Sequence, residues 1–330
     1  MMKERVFYVD EFRGLAILLM VFLNIFDYLS VYDVHVDAPF YVKGINSVTL
    51  LPPILLFCFV SGMSAYFIST KFSNVKDMIV KSVKKYGKYF LISIPFTMFM
   101  WGFRTFYEWE EAIQGITVSA VIASILIHYL KKKDKFMEAS FLIYITQAIL
   151  LFSWRNGWTA GIPFNTGYSI IGFFLNMLFR GWFSILNLVP IMLMGAFFLK
   201  NYVDNKLRIN LIISLMSGLI AVILYPLIPV DYYMRSLNLF FYFTSICGFI
   251  TVIIYYLNQK NIKFRFLRVF GLLSFEIYIT HFLLAKSFRL MGFGDSLAMI
   301  PAAIITILII FLYYLFANFY ARKFKKELLK

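Results

Sequence analysis

Apolar residues run through this chain in long blocks separated by short polar clusters. The first block is EFRGLAILLMVFLNIFDYLS, residues 11–30. Further blocks fall at 48–67, 88–103, 113–130, 136–154, 181–199, 210–226, 238–257, 269–287 and 299–319. Apolar positions within them are continuous rather than alternating with a period of two, which predicts helices. Each block approaches the roughly 20 residues that a helix needs to cross a hydrocarbon core of about 30 Å. In lipid, only helices and closed barrels satisfy their own backbone polar groups. The pattern therefore predicts an all-α fold, a polytopic transmembrane helix bundle of about ten spans. One apolar stretch, 168–179, follows RNGWTAGIPFNTGYS and reads as an interfacial or re-entrant segment rather than a full span.

The polar residues inside the first block are not scattered. At 100° per residue, and with Asp10 set to zero, Arg13 falls near 300°, Asn24 near 320° and Asp27 near 260°. These four share about one third of the helix circumference. Arg13 and Asn24 are separated by roughly 16 Å of helical rise. Polar groups within a membrane are expensive and usually face a bundle interior or a wet cavity. Two readings follow. Asp10 and Arg13 form a simple i,i+3 pair while Asn24 bonds a neighbouring helix, or the stripe lines a site.

Composition supports the membrane reading. Hydrophobic residues make up 61% of the 330, charged residues only 15%. A soluble domain is nearer half apolar and a quarter charged. The formal net charge is +15, which alone would suit a nucleic-acid partner. Its distribution argues against one. Taking the connections alternately, 25 of the 32 Lys and Arg residues fall on one side. They cluster at 71–88, 131–135, 200–208, 260–268 and 322–330, besides Lys3, Arg5 and Arg13. The positive-inside rule then places both termini in the cytoplasm and the chain in the cell membrane as a multi-pass protein. The basic ends also contact anionic lipid. Lys3 and Arg5 before the first block resemble a signal peptide. The block is too long for an h-region and lacks an A-x-A site, so it reads as a retained span. Cys58 and Cys247 lie inside apolar runs and read as core residues. No disulfide framework or zinc-ligand spacing is present in the sequence, and no metal is expected.

The first block carries a denser signature, D-x-x-R-G-x-A-x-x-x-M-V-x-x-N, on Asp10, Arg13, Gly14, Ala16, Met20, Val21 and Asn24. It resembles the opening of the heparan-alpha-glucosaminide N-acetyltransferases and their prokaryotic relatives, a family of polytopic membrane acyltransferases. Three other segments are similar to family spans: GINSVTLLPPILLFCFVSGMS (44–64), FRGWFSILNLVPIMLMGAFF (179–198) and GLLSFEIYITHFLL (271–284). The last carries S-x-x-x-Y-x-x-H on Ser274, Tyr278 and His281. Two departures stand out. VDAPFYVK replaces the family's tryptophan-containing stretch after the histidine, and Thr49 replaces an acidic residue.

The resemblance implies one transmembrane acyltransferase domain over residues 1–330. It makes His35, eleven residues beyond Asn24, the catalytic histidine, and it implies a homodimer. It places His281 and Tyr278 beside the coenzyme or behind the site. Read on its own, His281 is more readily a satisfied core histidine; only the resemblance brings the site role level with that reading.

Acetyl transfer from a thioester to an amine or hydroxyl needs a base for the acceptor proton, a donor for the developing oxyanion and a means of holding the reactants together. An imidazole titrates near neutral pH, so His35 suits the first task as general base. An acetyl-His35 intermediate is the runner-up. Asn24 can donate an amide N–H to the thioester carbonyl. The donor is acetyl-CoA or another acyl-CoA. Its anionic head is expected near Arg13, Asp10 and the basic segments 71–88 and 260–268, and the acceptor is an extracytoplasmic amino sugar or glycan. From a different class, a secondary transporter or flippase of the envelope also fits ten spans, though no paired broken helices are evident between the two halves. An envelope assembly protein is a third reading. Elsewhere, His128 beside KKKDK reads as interfacial and Glu138 as an ion-pair partner of those lysines. Glu108, Glu110 and Glu111 read as a solvated acidic patch. WRNGW and DYY read as an interface belt.

Overall fold

The computed structural model describes residues 7–30, 53–155, 169–181, 183–227, 237–260, 262–294 and 296–324. Among these residues the chain is helical throughout, and an isolated bridge between Ser30 and Leu297 takes the place of any strand. The helices in order are α1 (Phe7–Leu29), α2 (Pro53–Lys71), α3 (Val75–Met100), α4 (Phe103–Tyr107), α5 (Ala112–Leu130) and α6 (Phe136–Arg155). They continue with α7 (Ile170–Leu175), α8 (Ile185–Val203), α9 (Leu207–Leu224), α10 (Leu237–Gln259), α11 (Arg265–Leu272), α12 (Ser274–Leu290) and α13 (Met299–Phe324). A π-helical turn, Asn176–Arg180, extends α7.

Seven of the described segments are long and apolar enough to cross a membrane. They are α1, α2, α4 with α5, α8, α9, α10 and α13. An eighth arises if α11 and α12, bent by 79° at Leu273, count as one span. Two apolar helices are shorter, Phe136–Leu150 and Ile170–Phe179. The second rises only about 15 Å, half a hydrocarbon core, which accords with the expectation that 168–179 is no full span.

Helix α3 differs from its expected block. Apolar residues alone suggested a start at 88, but the helix starts at Val75, where the Asn74 side chain accepts from the Lys76 N–H at 2.9 Å. Its first half carries Lys76, Lys81, Lys84, Lys85 and Lys88. Lysine propagates a helix nearly as well as leucine, so the helix continues where the apolar pattern stops.

The described residues divide into two compact units, one from 1–57 and 250–330, the other from 58–249. In the second, α8 is the central element, with nearly all of its residues from Asn187 to Leu199 buried. Two glycines permit close packing there. A Cβ on Gly62 would lie 1.8 Å from the Met192 carbonyl oxygen, and one on Gly195 would lie 1.9 Å from that of Phe59. Small residues at such crossings let helix backbones approach, the main route to helix association in lipid. Ser140 adds a hydroxyl bond to the Pro190 carbonyl at 2.7 Å.

In the first unit, α1 packs against α11, α12 and α13. The α1–α11 contact is again made by glycines. A Cβ on Gly14 would lie 1.7 Å from the Leu267 carbonyl oxygen, and one on Gly271 would lie 1.9 Å from that of Asp10. By contrast α13 leaves Ile304, Ile307, Leu308, Phe311, Leu312, Leu315 and Phe319 more than 50% exposed or nearly so. An apolar face of that extent marks a lipid or partner contact rather than water.

Candidate functional site

The polar stripe of α1 is anchored at both ends by specific partners within the first unit. At its start, Arg13 donates to an Asp10 carboxylate oxygen at 3.1 Å. Asp10 is buried, whereas the Arg13 side chain keeps 26% of its surface. The i,i+3 spacing puts the two on neighbouring turns.

Near the other end, the Asn24 amide nitrogen lies 3.0 Å from His281 Nε2. His281 Nδ1 lies 3.0 Å from the Ile277 carbonyl oxygen, one turn back on α12. A carbonyl only accepts, so Nδ1 carries the proton. Nε2 then holds a lone pair and accepts from Asn24. The imidazole is fully buried, with the Tyr278 ring 5.6 Å away and the Phe282 ring 4.2 Å away, centroid to centroid. Both imidazole nitrogens are thus engaged. In this arrangement His281 fixes the orientation of the Asn24 carboxamide and has no lone pair to offer elsewhere. The half-buried Asn24 has a second N–H and a carbonyl oxygen beyond this bond.

A third polar cluster lies beside the first and escaped the sequence reading. Glu11 is completely buried and accepts from Arg268 at 3.1 Å through one oxygen and from Asn258 at 3.0 Å through the other. Asn258 also donates to the Ile254 carbonyl at 2.9 Å. This network ties α1, α10 and α11 together. Arg268, expected with the rest of 260–268 to meet anionic lipid or the coenzyme head, is instead 4% exposed. The signal was present in the wheel. Glu11 falls about 100° from Asp10, off the stripe, and a carboxylate pointing elsewhere on an apolar helix demands a partner of its own.

His35 lies outside the described residues, as do Thr49, the second tryptophan of WRNGW, and DYY. In the second unit, His128 is buried, and Lys131 donates to its Nδ1 at 3.3 Å. Lys131 also donates to the Ser69 carbonyl, near the C-terminal end of α2. Burial and the neighbouring Lys132 lower the Lys131 pKa. Glu138 is exposed, and Lys200 there pairs with Asp134 at 2.6 Å and with Asp204 at 3.4 Å. The acidic patch is also structured. Glu108 pairs with Arg104 at 3.0 Å, and the buried Glu111 caps α5 by accepting from the Ile113 N–H at 3.3 Å. Cys58 and Cys247 are both buried, and neither is in a disulfide. Among the described residues no group of three or more His, Cys, Asp or Glu side chains is placed to hold a metal ion.

Compared with known proteins, the chain matches no protein-family model and no curated protein.

Proposed function

We propose that this protein is an integral membrane acyltransferase of the cell membrane. It moves an acetyl or other acyl group from cytosolic acyl-CoA to an extracytoplasmic amino sugar or glycan. The observation that carries the proposal is the Asn24–His281 contact. Two residues selected separately, on different segments similar to one acyltransferase family, meet at hydrogen-bond distance. In this reading the second Asn24 N–H stabilises the thioester oxyanion, and His281 aims it. His35 takes the acceptor proton as the acceptor lone pair attacks the thioester carbonyl carbon. The C–S bond breaks, and the proton passes to the departing thiolate. Arg13, partly exposed about 16 Å below Asn24 along α1, meets the anionic head of the coenzyme.

The topology belongs to the same proposal. The seven apolar segments, the bent α11–α12 pair, Phe136–Leu150 and the apolar half of α3 make about ten crossings. Both termini then face the cytoplasm by the positive-inside rule.

One feature favours a second reading. Broken helices build substrate sites in transporters, and α11 and α12 are bent by 79°. The two are separated by calorimetric titration of coenzyme A and acetyl-CoA into purified protein. The acyltransferase reading expects saturable binding that weakens in Arg13→Gln. Absence of binding by the wild type removes that reading and leaves transport.

A further inference from the structure

The approach to α11 is basic and apolar at once. Lys260, Ile262, Lys263, Phe264, Arg265 and Phe266 are all exposed. Basic and large apolar side chains therefore alternate along one short stretch. Ile262 keeps 45% of its surface, and Phe264 and Phe266 keep 37% each. From Arg268 onward the helix turns inward, with Arg268, Val269, Phe270 and Gly271 buried against its neighbours.

Three observations locate this stretch relative to a bilayer. First, α12 has 17 residues and rises about 25 Å, at the short end of what crosses a hydrocarbon core. It needs no help from α11. Second, the 79° bend then lays α11 nearly in the membrane plane. Third, Lys263 and Arg265 are too costly to hold inside hydrocarbon, while exposed Ile262, Phe264 and Phe266 are unsuited to bulk water. A segment that is basic and apolar at once belongs at the boundary.

We propose that Lys260 and residues 262–266 form an in-plane docking surface for the headgroups of anionic phospholipids. The apolar side chains enter the headgroup–acyl boundary, and Lys260, Lys263 and Arg265 pair with lipid phosphates. Lys260 is steadied by the Tyr256 ring, whose centroid lies 4.7 Å from its ammonium nitrogen. The occupant is a membrane lipid rather than the phosphates of a coenzyme, because the one basic residue here that points into the protein, Arg268, is already held by Glu11.

The test uses the full chain, purified in detergent, and mixed micelles containing fluorescent phosphatidylglycerol or phosphatidylcholine. Each charge near an anionic surface contributes roughly a fivefold change in affinity. The triple variant Lys260→Gln, Lys263→Gln, Arg265→Gln should lose on the order of a hundredfold in phosphatidylglycerol affinity. Its phosphatidylcholine binding and its helical circular dichroism should stay unchanged. The single variant Lys263→Gln, a loss of about fivefold, serves if the triple variant does not fold. Equal affinity of the wild type for both lipids overturns the proposal. So does a variant that keeps its phosphatidylglycerol preference while losing affinity for coenzyme A, which would assign the surface to a soluble phosphate.

Discussion

Asn24 and His281 stand 257 residues apart in the chain and 3.0 Å apart in space. The bond has a direction, because the Ile277 carbonyl claims the Nδ1 proton and leaves Nε2 to accept from the amide. It couples the C-terminal half of α1 to α12 inside an apolar, aromatic wall. Interhelical bonds of this kind in membrane proteins average about 0.6 kcal/mol and reach about 1.7. A double-mutant cycle on Asn24→Ala and His281→Ala, read by unfolding in detergent, should return a coupling in that range. His281→Gln keeps an acceptor for Asn24 and should recover most of the lost stability. A coupling of zero would mean that the two side chains do not bond.

The buried ion pair makes a stronger claim. Removing one member of a desolvated pair strands the other charge and costs about 3–5 kcal/mol, whereas replacing both with apolar residues of similar size is often neutral. Arg268→Met should therefore abolish or sharply reduce folded protein. Glu11→Leu combined with Arg268→Met should restore it. Size-exclusion profiles of the two variants check this directly. A single variant as stable as the wild type would contradict the observed geometry.

Glycine positions separate tight packing from tolerance. Gly14→Ala and Gly271→Ala each place a methyl group less than 2 Å from a backbone oxygen, so α1 and α11 must separate. Both should be severely destabilised. Gly87→Ala, in the polar half of α3, meets nothing nearer than the Val83 Cγ1 at 3.9 Å. It should be neutral or stabilising by about 0.5–1 kcal/mol, since alanine is the better helix former. Thermal unfolding of the three variants decides.

Arg13 bears on the proposed donor. A lost charge-assisted bond to a coenzyme phosphate costs about 1.5–3 kcal/mol, roughly a tenfold to hundredfold rise in KM for acyl-CoA. The turnover number should change little, because the contact is made equally in the ground and transition states. A fall in kcat at constant KM would place Arg13 in the chemistry instead.

What could be read from the sequence follows the range of the interactions. The all-helical class and the Asp10–Arg13 pair are local, set by continuous apolar runs and an i,i+3 spacing. Asn24 and His281 were each singled out, but nothing in linear spacing says that they touch. The Glu11–Arg268 pair was missed because Arg268 sits in a basic run that satisfies the charge rule by itself. Only the tertiary approach of α11 to α1, permitted by Gly14 and Gly271, turns it inward. The early start of α3 was missed for a different reason. Apolar counting finds what is buried, and lysine-rich turns are helical without being buried. His35, the base in the proposed reaction, lies outside the described residues, so its place rests on the family resemblance.

The most direct test of the acyltransferase account is transfer of labelled acetyl from acetyl-CoA to a glucosamine-type acceptor by purified protein in detergent, with wild type compared against His35→Ala and Asn24→Ala. The account predicts wild-type transfer, loss of transfer in both variants, and coenzyme A binding retained in each. Wild-type protein that neither binds nor turns over acetyl-CoA would contradict it, and so would a His35→Ala variant that transfers acetyl at the wild-type rate.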